Sequence, residues 1–177
     1  SGDAADHLLE MERAGVKVNE FSERSIEGLS NALGACDLAV DALLGIGLRN
    51  GPRDNAELAI DRMNASGRPI VAVDIPSGVD ADTGMTPGKS VRATVTVTFG
   101  LPKVGHLFFP GKARCGALHL ADIGFAKPAL NALQSVARLL DGNAMNALLP
   151  RRPGDAHKGS CGTVAVVAGS VGMTGAA

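Results

Sequence analysis

Residues Ile70 to Gly84 read IVAVDIPSGVDADTG. Four β-rich apolar residues run straight into an aspartate, a proline and a serine-glycine turn, the pattern by which a buried strand delivers polar groups to the mouth of a site. In open α/β sheets ligands sit at that mouth, beyond the carboxyl ends of the strands. Asp74 and Ser77 are therefore the first candidates for chemistry. The alternative for Asp74 is a plain turn cap, since Asp and Ser are both common turn residues.

Upstream, Asp54 to Ala65 reads as a helix with Ala56, Ile60 and Met63 facing inward, and Gly67 ends it before the strand Ile70 to Val73. Ahead of that helix, Leu38 to Leu44 (LAVDALL) reads as a buried strand. Strand, helix and strand at these lengths make a βαβ unit, so the sheet is expected to be parallel with a right-handed connection. Downstream, Ala93 to Phe99 (ATVTVTF) alternates threonine and valine with period two, and Ala117 to Ala121 also looks extended. Between them Gly100 to Gly111 is rich in Pro and Gly and reads as a long structured loop.

Toward the amino end, Asp3 to Ala14 and Ser25 to Leu33 carry helical spacing, with Val16 to Val18 a short strand between them and Ser25 a helix cap. Past Gly124 the expected elements are short: a helix at Ala129 to Val136, a strand at Ala137 to Leu140 and a one-turn helix at Ala144 to Leu148. Pro150 to Gly159 (PRRPGDAHKG) has the composition of a linker. Thr163 to Ala168 reads as another buried strand, entering a glycine-rich turn, GSVGMTGAA. The reading is an α/β chain with a mostly parallel sheet over residues 1–140, then a linker and the start of a second domain over 141–177.

Hydrophobic residues make up 45% of the 177, enough for a core, and the formal charge of −1 argues against an electrostatic nucleic-acid binder. Trp and Tyr are absent, which removes the usual platforms for stacking single-stranded bases. Cys36, Cys115 and Cys161 are odd in number and far apart, so neither a disulfide framework nor a zinc site is indicated, and a reducing cytoplasm is the expected location. No apolar run approaches the roughly 20 residues that span a bilayer.

Four places could carry chemistry. Asp41 lies inside an apolar strand, where a carboxylate costs several kcal/mol unless something compensates it. Ser77 and loop carbonyls are at hand, and oxygen donors of that kind suit a hard cation; the alternative is that Asp41 ends its strand and caps the loop. Next, Gly45 to Gly51 (GIGLRNG) follows that strand and precedes a helix, the context in which glycines bring backbone N–H groups to a phosphate. Lys103 sits on a proline-held loop in FGLPKVG, where a lysine can orient a polar ligand or act as an acid; surface snorkelling is the alternative. Finally, HKG at His157 to Gly159 and the glycine-rich tail again suggest phosphate binding.

Taken in this order, DALLGIGL, VAVDIPSGVDADTG and FGLPKVGHLFFPG resemble the NAD(P)H-hydrate epimerase domain, also called the YjeF N-terminal domain, which has a Rossmann-like three-layer αβα fold. HKGSCGTVAVVAGSVGMTGAA resembles the opening of the ADP-dependent NAD(P)H-hydrate dehydratase domain, built like the ribokinase-type kinases. The resemblance is to the bifunctional NAD(P)H-hydrate repair enzymes, an isomerase joined to a lyase, and it covers Asp37 to Gly124 and Arg151 to Ala177. It implies that Asp41 and Ser77 help bind a potassium ion. It further implies that Gly45, Ile46, Gly47, Leu48, Arg49, Asn50, Gly51 and Asp74 contact the hydrated nicotinamide nucleotide, NADHX or NADPHX, and that Ala176 lies by the second domain's substrate. Asp74 and Lys103 are the candidate catalytic residues, and ADP is the cofactor implied for the dehydratase half.

Family members carry an asparagine- and glycine-rich loop ahead of this region that is not in the sequence, so the chain is expected to be an inactive middle piece, its Rossmann-like part incomplete on the N-terminal side. A homo-oligomer is left open, and no nucleic-acid or membrane partner is expected. The competing reading is a non-catalytic nucleotide- or RNA-associated module of the same fold, which would leave the conjunction of Asp41, Asp74 and Ser77 without a purpose.

Overall fold

The computed structural model describes residues 3–22, 25–47, 50–133, 137, 139–172 and 175. The chain separates into two units, Ser1–Gln134 and Ser135–Ala177. In the first, β1 (Ala39–Asp41), β2 (Ile70–Val73), β3 (Val95–Phe99) and β4 (Ala117–Ala121) form one sheet in that order, each neighbouring pair parallel. Helices α1 (Asp3–Arg13) and α2 (Ile26–Ala35) precede the sheet, α3 (Asp54–Ala65) joins β1 to β2, α4 (Val104–Leu107) lies between β3 and β4, and α5 (Lys127–Ala132) follows β4. This is the Rossmann-like α/β architecture the βαβ pattern points to.

Register decides what is buried. Asp41 pairs with Ala72, Ala72 with Thr96 and Ala39 with Ile70. Period-two alternation then puts Ala39, Asp41, Ile70, Ala72, Thr96 and Thr98 on one face, and all six are buried. Leu33 of α2 and Ile60 and Met63 of α3 pack there with Ala39, Ile70 and Val91. The opposite face carries Val40 and Val73, which are 60% and 37% exposed. In ATVTVTF Thr96 and Thr98, not the valines, therefore face the core. Their hydroxyls are satisfied: Thr96 Oγ1 donates to the Cys115 carbonyl at 2.7 Å and Thr98 Oγ1 to Asp74 at 2.9 Å.

Several elements differ from their sequence reading. The strand expected over Leu38 to Leu44 stops at Asp41, because the Leu44 N–H bonds the Ser77 hydroxyl at 2.9 Å and turns the chain off the ladder. The one expected from Ala93 begins at Val95. Val16 to Val18 is no strand; Val16 and Val18 are exposed and no ladder takes them up. Inside Gly100 to Gly111 a turn of helix, α4, forms, and Gly105 is required there because a Cβ would lie 2.5 Å from the Asp80 carbonyl. The expected helix at Ala129 to Val136 is α5, shifted toward the N-terminus by Pro128 in its first turn, and Val136 lies outside the described residues.

In the second unit, α6 (Gly142–Leu148) is longer than the single turn expected, its N-terminus capped by Asp141, whose carboxylate accepts the Ala144 N–H at 2.7 Å. Residues 137, 139 and 140 show no strand, and Arg138 is outside the described set. Thr163 to Ala168 is likewise not a strand: Val164, Val166 and Val167 are 85%, 69% and 100% exposed. A strand needs a ladder partner, and none exists among the described residues of that unit. No helix among the described residues is long and apolar enough to cross a membrane.

Candidate functional site

Because the strands are parallel, Asp41, Asp74 and Thr98 all come to the carboxyl edge of the sheet. Asp41 is fully buried there. The Ser77 backbone N–H donates to its Oδ2 at 2.8 Å and the Ser77 hydroxyl to its Oδ1 at 2.6 Å, while the Leu43 N–H makes a longer contact of 3.4 Å. Ser77 is itself buried, and it accepts the Leu44 N–H, so a single serine ties the end of β1 to the turn after β2. Asp41 is the last residue of its strand, as the loop-cap reading expects, and Ser77 offsets its burial. Gly78, next in the chain, has φ of 93°, and a Cβ on it would lie 2.2 Å from the Lys89 carbonyl, so only glycine fits this crossing.

The donor set around Asp41 is all oxygen: its carboxylate, the Ser77 hydroxyl and the Leu44 carbonyl 3.2 Å from that hydroxyl. Among the described residues no group of three His, Cys, Asp or Glu side chains could hold a metal. Any cation here would rest on one carboxylate with hydroxyl and carbonyl oxygens, a set that fits a hard cation and not a transition metal.

Asp74 is held differently. Its φ is 66°, and the Ile75 N–H bonds the Val73 carbonyl across it at 2.8 Å, a γ-turn of the rare positive-φ form, which costs about 1–3 kcal/mol in a non-glycine residue. Its own N–H continues the ladder to Val97 O at 2.8 Å. Carboxylate Oδ1 accepts from Thr98 Oγ1 at 2.9 Å, from the Phe99 N–H at 3.3 Å and from the Lys103 ammonium. Lys103 also reaches Thr98 Oγ1 at 2.8 Å and the Phe99 carbonyl at 3.2 Å. Among the described residues Oδ2 has no donor, and the side chain is 21% exposed. Partial burial opposes ionisation of Asp74, but the bonds from Lys103, Thr98 and the Phe99 N–H, with the Lys103 charge, outweigh it and hold the carboxyl below its ordinary value.

Two members of this cluster were not singled out from the sequence. Thr98 hides in a strand whose valines draw the eye. His106 is buried and links the two candidate catalytic residues: the Lys103 backbone N–H donates to its Nδ1 at 3.0 Å, which leaves Nε2 as the proton-bearing nitrogen, donating to the Asp74 carbonyl at 2.8 Å. Burial pushes the imidazole toward its neutral form, the Asp74 carbonyl works against that, and the nearby Lys103 charge adds to it. The signal in the sequence is the spacing of His106 three residues after Lys103, one turn of helix, in PKVGH.

The glycine loop begins where Ser77 pins Leu44. Gly45, Ile46, Gly47, Asn50 and Gly51 follow Asp41 without regular structure, with Gly47 at φ of 99° and Ile46 67% exposed. Gly51 packs against the Gly88 backbone, where a Cβ would approach to 3.1 Å. Leu48, Arg49 and Ala176 lie outside the described residues. The structure thus groups Asp41 with Ser77 and the start of the glycine loop, and Asp74 with Lys103, Thr98 and His106, on one sheet edge.

Comparison with known proteins gives consistent matches. The family described as "YjeF-related protein N-terminus" matches residues 1–105. The bifunctional NAD(P)H-hydrate repair enzyme Nnr of Thermofilum pendens is 42% identical over 165 residues, covering 93% of this chain and 30% of that protein. The enzyme of the same name from Escherichia coli is 43% identical over 142 residues, 79% of this chain and 27% of its own length. An NAD(P)H-hydrate epimerase of Weissella koreensis is 48% identical over 90 residues, 51% of this chain and 41% of the relative. The chain spans about a third of the length of the bifunctional relatives it matches.

Proposed function

The chain belongs to the YjeF-related N-terminal family, and on that premise we propose that the full-length protein interconverts the R and S epimers of hydrated nicotinamide nucleotides, NADHX and NADPHX, with Asp74 and Lys103 at the reacting carbon. The observation that carries the reading is a carboxylate and an ammonium in direct contact at the mouth of a parallel sheet, with one carboxylate oxygen left over among the described residues. The substrate bears a hydroxyl on the carbon next to the ring nitrogen. The nitrogen lone pair expels that hydroxyl as the Lys103 ammonium protonates it, giving water and an iminium; water then adds to the other face. Asp74, ionised because its pKa is lowered, takes the proton of the incoming water through Oδ2, and proton return to Lys103 closes the cycle without net consumption. The strained turn and its His106 tether keep the two groups in register.

In the same proposal Asp41, Ser77 and the Leu44 carbonyl would hold a potassium ion, which supplies positive charge beside the carboxylate and the substrate phosphates. The loop from Gly45 to Gly51 would bring backbone N–H groups to the nucleotide. Residues 141–177 would begin an ADP-dependent dehydratase domain, with Ala176 near its substrate, and the protein would act in the cytoplasm. Following epimer interconversion of NADPHX by NMR in the full-length protein tests the reading. Expected is catalysed exchange that Asp74→Asn lowers about 10³-fold with nucleotide binding retained. Unchanged exchange in that variant would remove Asp74 from the chemistry, and no exchange by the folded wild type would leave a nucleotide-binding module.

A further inference from the structure

Away from the carboxyl edge the structure holds a concave site. A cleft of about 560 Å³ lies between the outer face of α3 and the segment Gly88–Arg92, with Arg114 at its border. Asn64 and Ala65 end α3, Arg92 precedes β3 and Arg114 precedes β4, so the cleft opens at the amino edge of the sheet. None of its lining residues belongs to the Asp41 or Asp74 clusters.

Among the described residues four basic side chains, Arg62, Lys89, Arg92 and Arg114, line it against a single carboxylate, Asp61, in a chain whose formal charge is −1. Lys89 is taken up by Asp61 and by Glu57, which leaves the three guanidinium groups in excess. The backbone beneath is fixed: the Asn64 amide donates to the Ser90 carbonyl at 2.9 Å and accepts the Arg92 N–H at 2.8 Å. Within this wall two polar atoms have no hydrogen-bond partner among the described residues, the hydroxyl of Ser90, a residue only 5% exposed, and Nε of Arg114. Buried polar atoms are ordinarily satisfied, so a pair of orphans in the wall of one basic cleft marks capacity for a ligand rich in acceptor oxygens.

Among the described residues no aromatic ring lines the cleft, and its apolar side chains are Leu58 and Ala65. A base or other flat ring has nothing to stack on there, whereas three guanidinium forks suit several anionic oxygens at once. We propose that this cleft binds the pyrophosphate group of a small phosphorylated metabolite, recognised through Arg62, Arg92 and Arg114, with Ser90 and Arg114 Nε as the orphaned donors it satisfies.

The test is a titration of the full chain with inorganic pyrophosphate at about 0.15 M salt, followed by backbone amide NMR. Expected is saturable binding with shifts at Ser90, Arg92 and Arg114. Arg62→Gln and Arg92→Gln, both at exposed positions that leave the fold intact, should each weaken binding about tenfold, and orthophosphate should bind more weakly than pyrophosphate. Shifts confined to the Gly45–Gly51 loop, no saturation, or equal affinity in the Arg62→Gln, Arg92→Gln double variant would overturn the proposal.

Discussion

Two aspartates end neighbouring strands of one sheet and are stabilised in opposite ways. Asp41 is fully buried and is compensated by the neutral donors of one serine, both of its oxygens occupied. Asp74, two positions beyond the partner of Asp41 in the register, stays partly open, is compensated by a lysine charge, and keeps one oxygen without a donor among the described residues. A buried carboxylate with a neutral donor on each oxygen holds two loops together; a carboxylate with an oxygen spare beside an ammonium is placed to move a proton. The same residue type on the same edge thus sits in two different environments, and the proposed function assigns each a different use.

The largest expected effect of breaking this contrast is on rate. Lys103→Met removes the proposed acid and the charge partner of Asp74, and on the proposed mechanism kcat for NADPHX epimerisation in the full-length protein should fall 10²- to 10⁴-fold. On the other side of the comparison, Asp41→Ala strands the Ser77 N–H and hydroxyl in a buried space. Unfolding free energy from urea titration should drop by about 3 kcal/mol. Ser77→Ala removes the hydroxyl but keeps the backbone donor to Asp41, so about 1–2 kcal/mol is expected in the same measurement.

The smallest effect sharpens the Asp74 side. His106 has a folded pKa below its ordinary value of 6.5, so the unfolded chain binds the proton more readily and stability falls as pH drops below about 6.5. Asp74 is also lowered, so its contribution is intact above the ordinary value of 3.8 and is lost as pH falls through the folded pKa. Thermal unfolding between pH 7 and 5 should therefore show a decline that is absent in His106→Gln, while a decline below pH 4 persists in that variant. A wild-type curve flat from pH 7 to 5 would contradict the neutral, buried imidazole.

Much of this was legible in the sequence. The βαβ order, the placement of Ile70–Val73 and the polar residues at its end follow from hydrophobic runs and breakers, which are local. Asp41 could be flagged because an acid in an apolar run demands compensation, and Ser77 because it sits just past the neighbouring strand. What escaped was non-local. The partner of His106 is a backbone carbonyl 32 positions away, which no side-chain pattern encodes. Thr96 and Thr98 face the core because their hydroxyls find acceptors there, against the order that hydrophobicity alone gives. Thr163 to Ala168 has every local mark of a strand and is exposed, since a ladder partner is a property of the surrounding sheet and not of the segment.

The most direct measurement sets Asp41→Asn beside Asp74→Asn, each read twice, by urea midpoint and by epimerisation rate in the full-length protein. Expected is a crossed result: Asp41→Asn lowers the midpoint more than Asp74→Asn does, and Asp74→Asn lowers the rate about 10³-fold while its midpoint stays close to wild type. If Asp74→Asn kept its rate, or if the loss of rate followed the loss of stability equally in both variants, the division of labour between the two aspartates would be wrong.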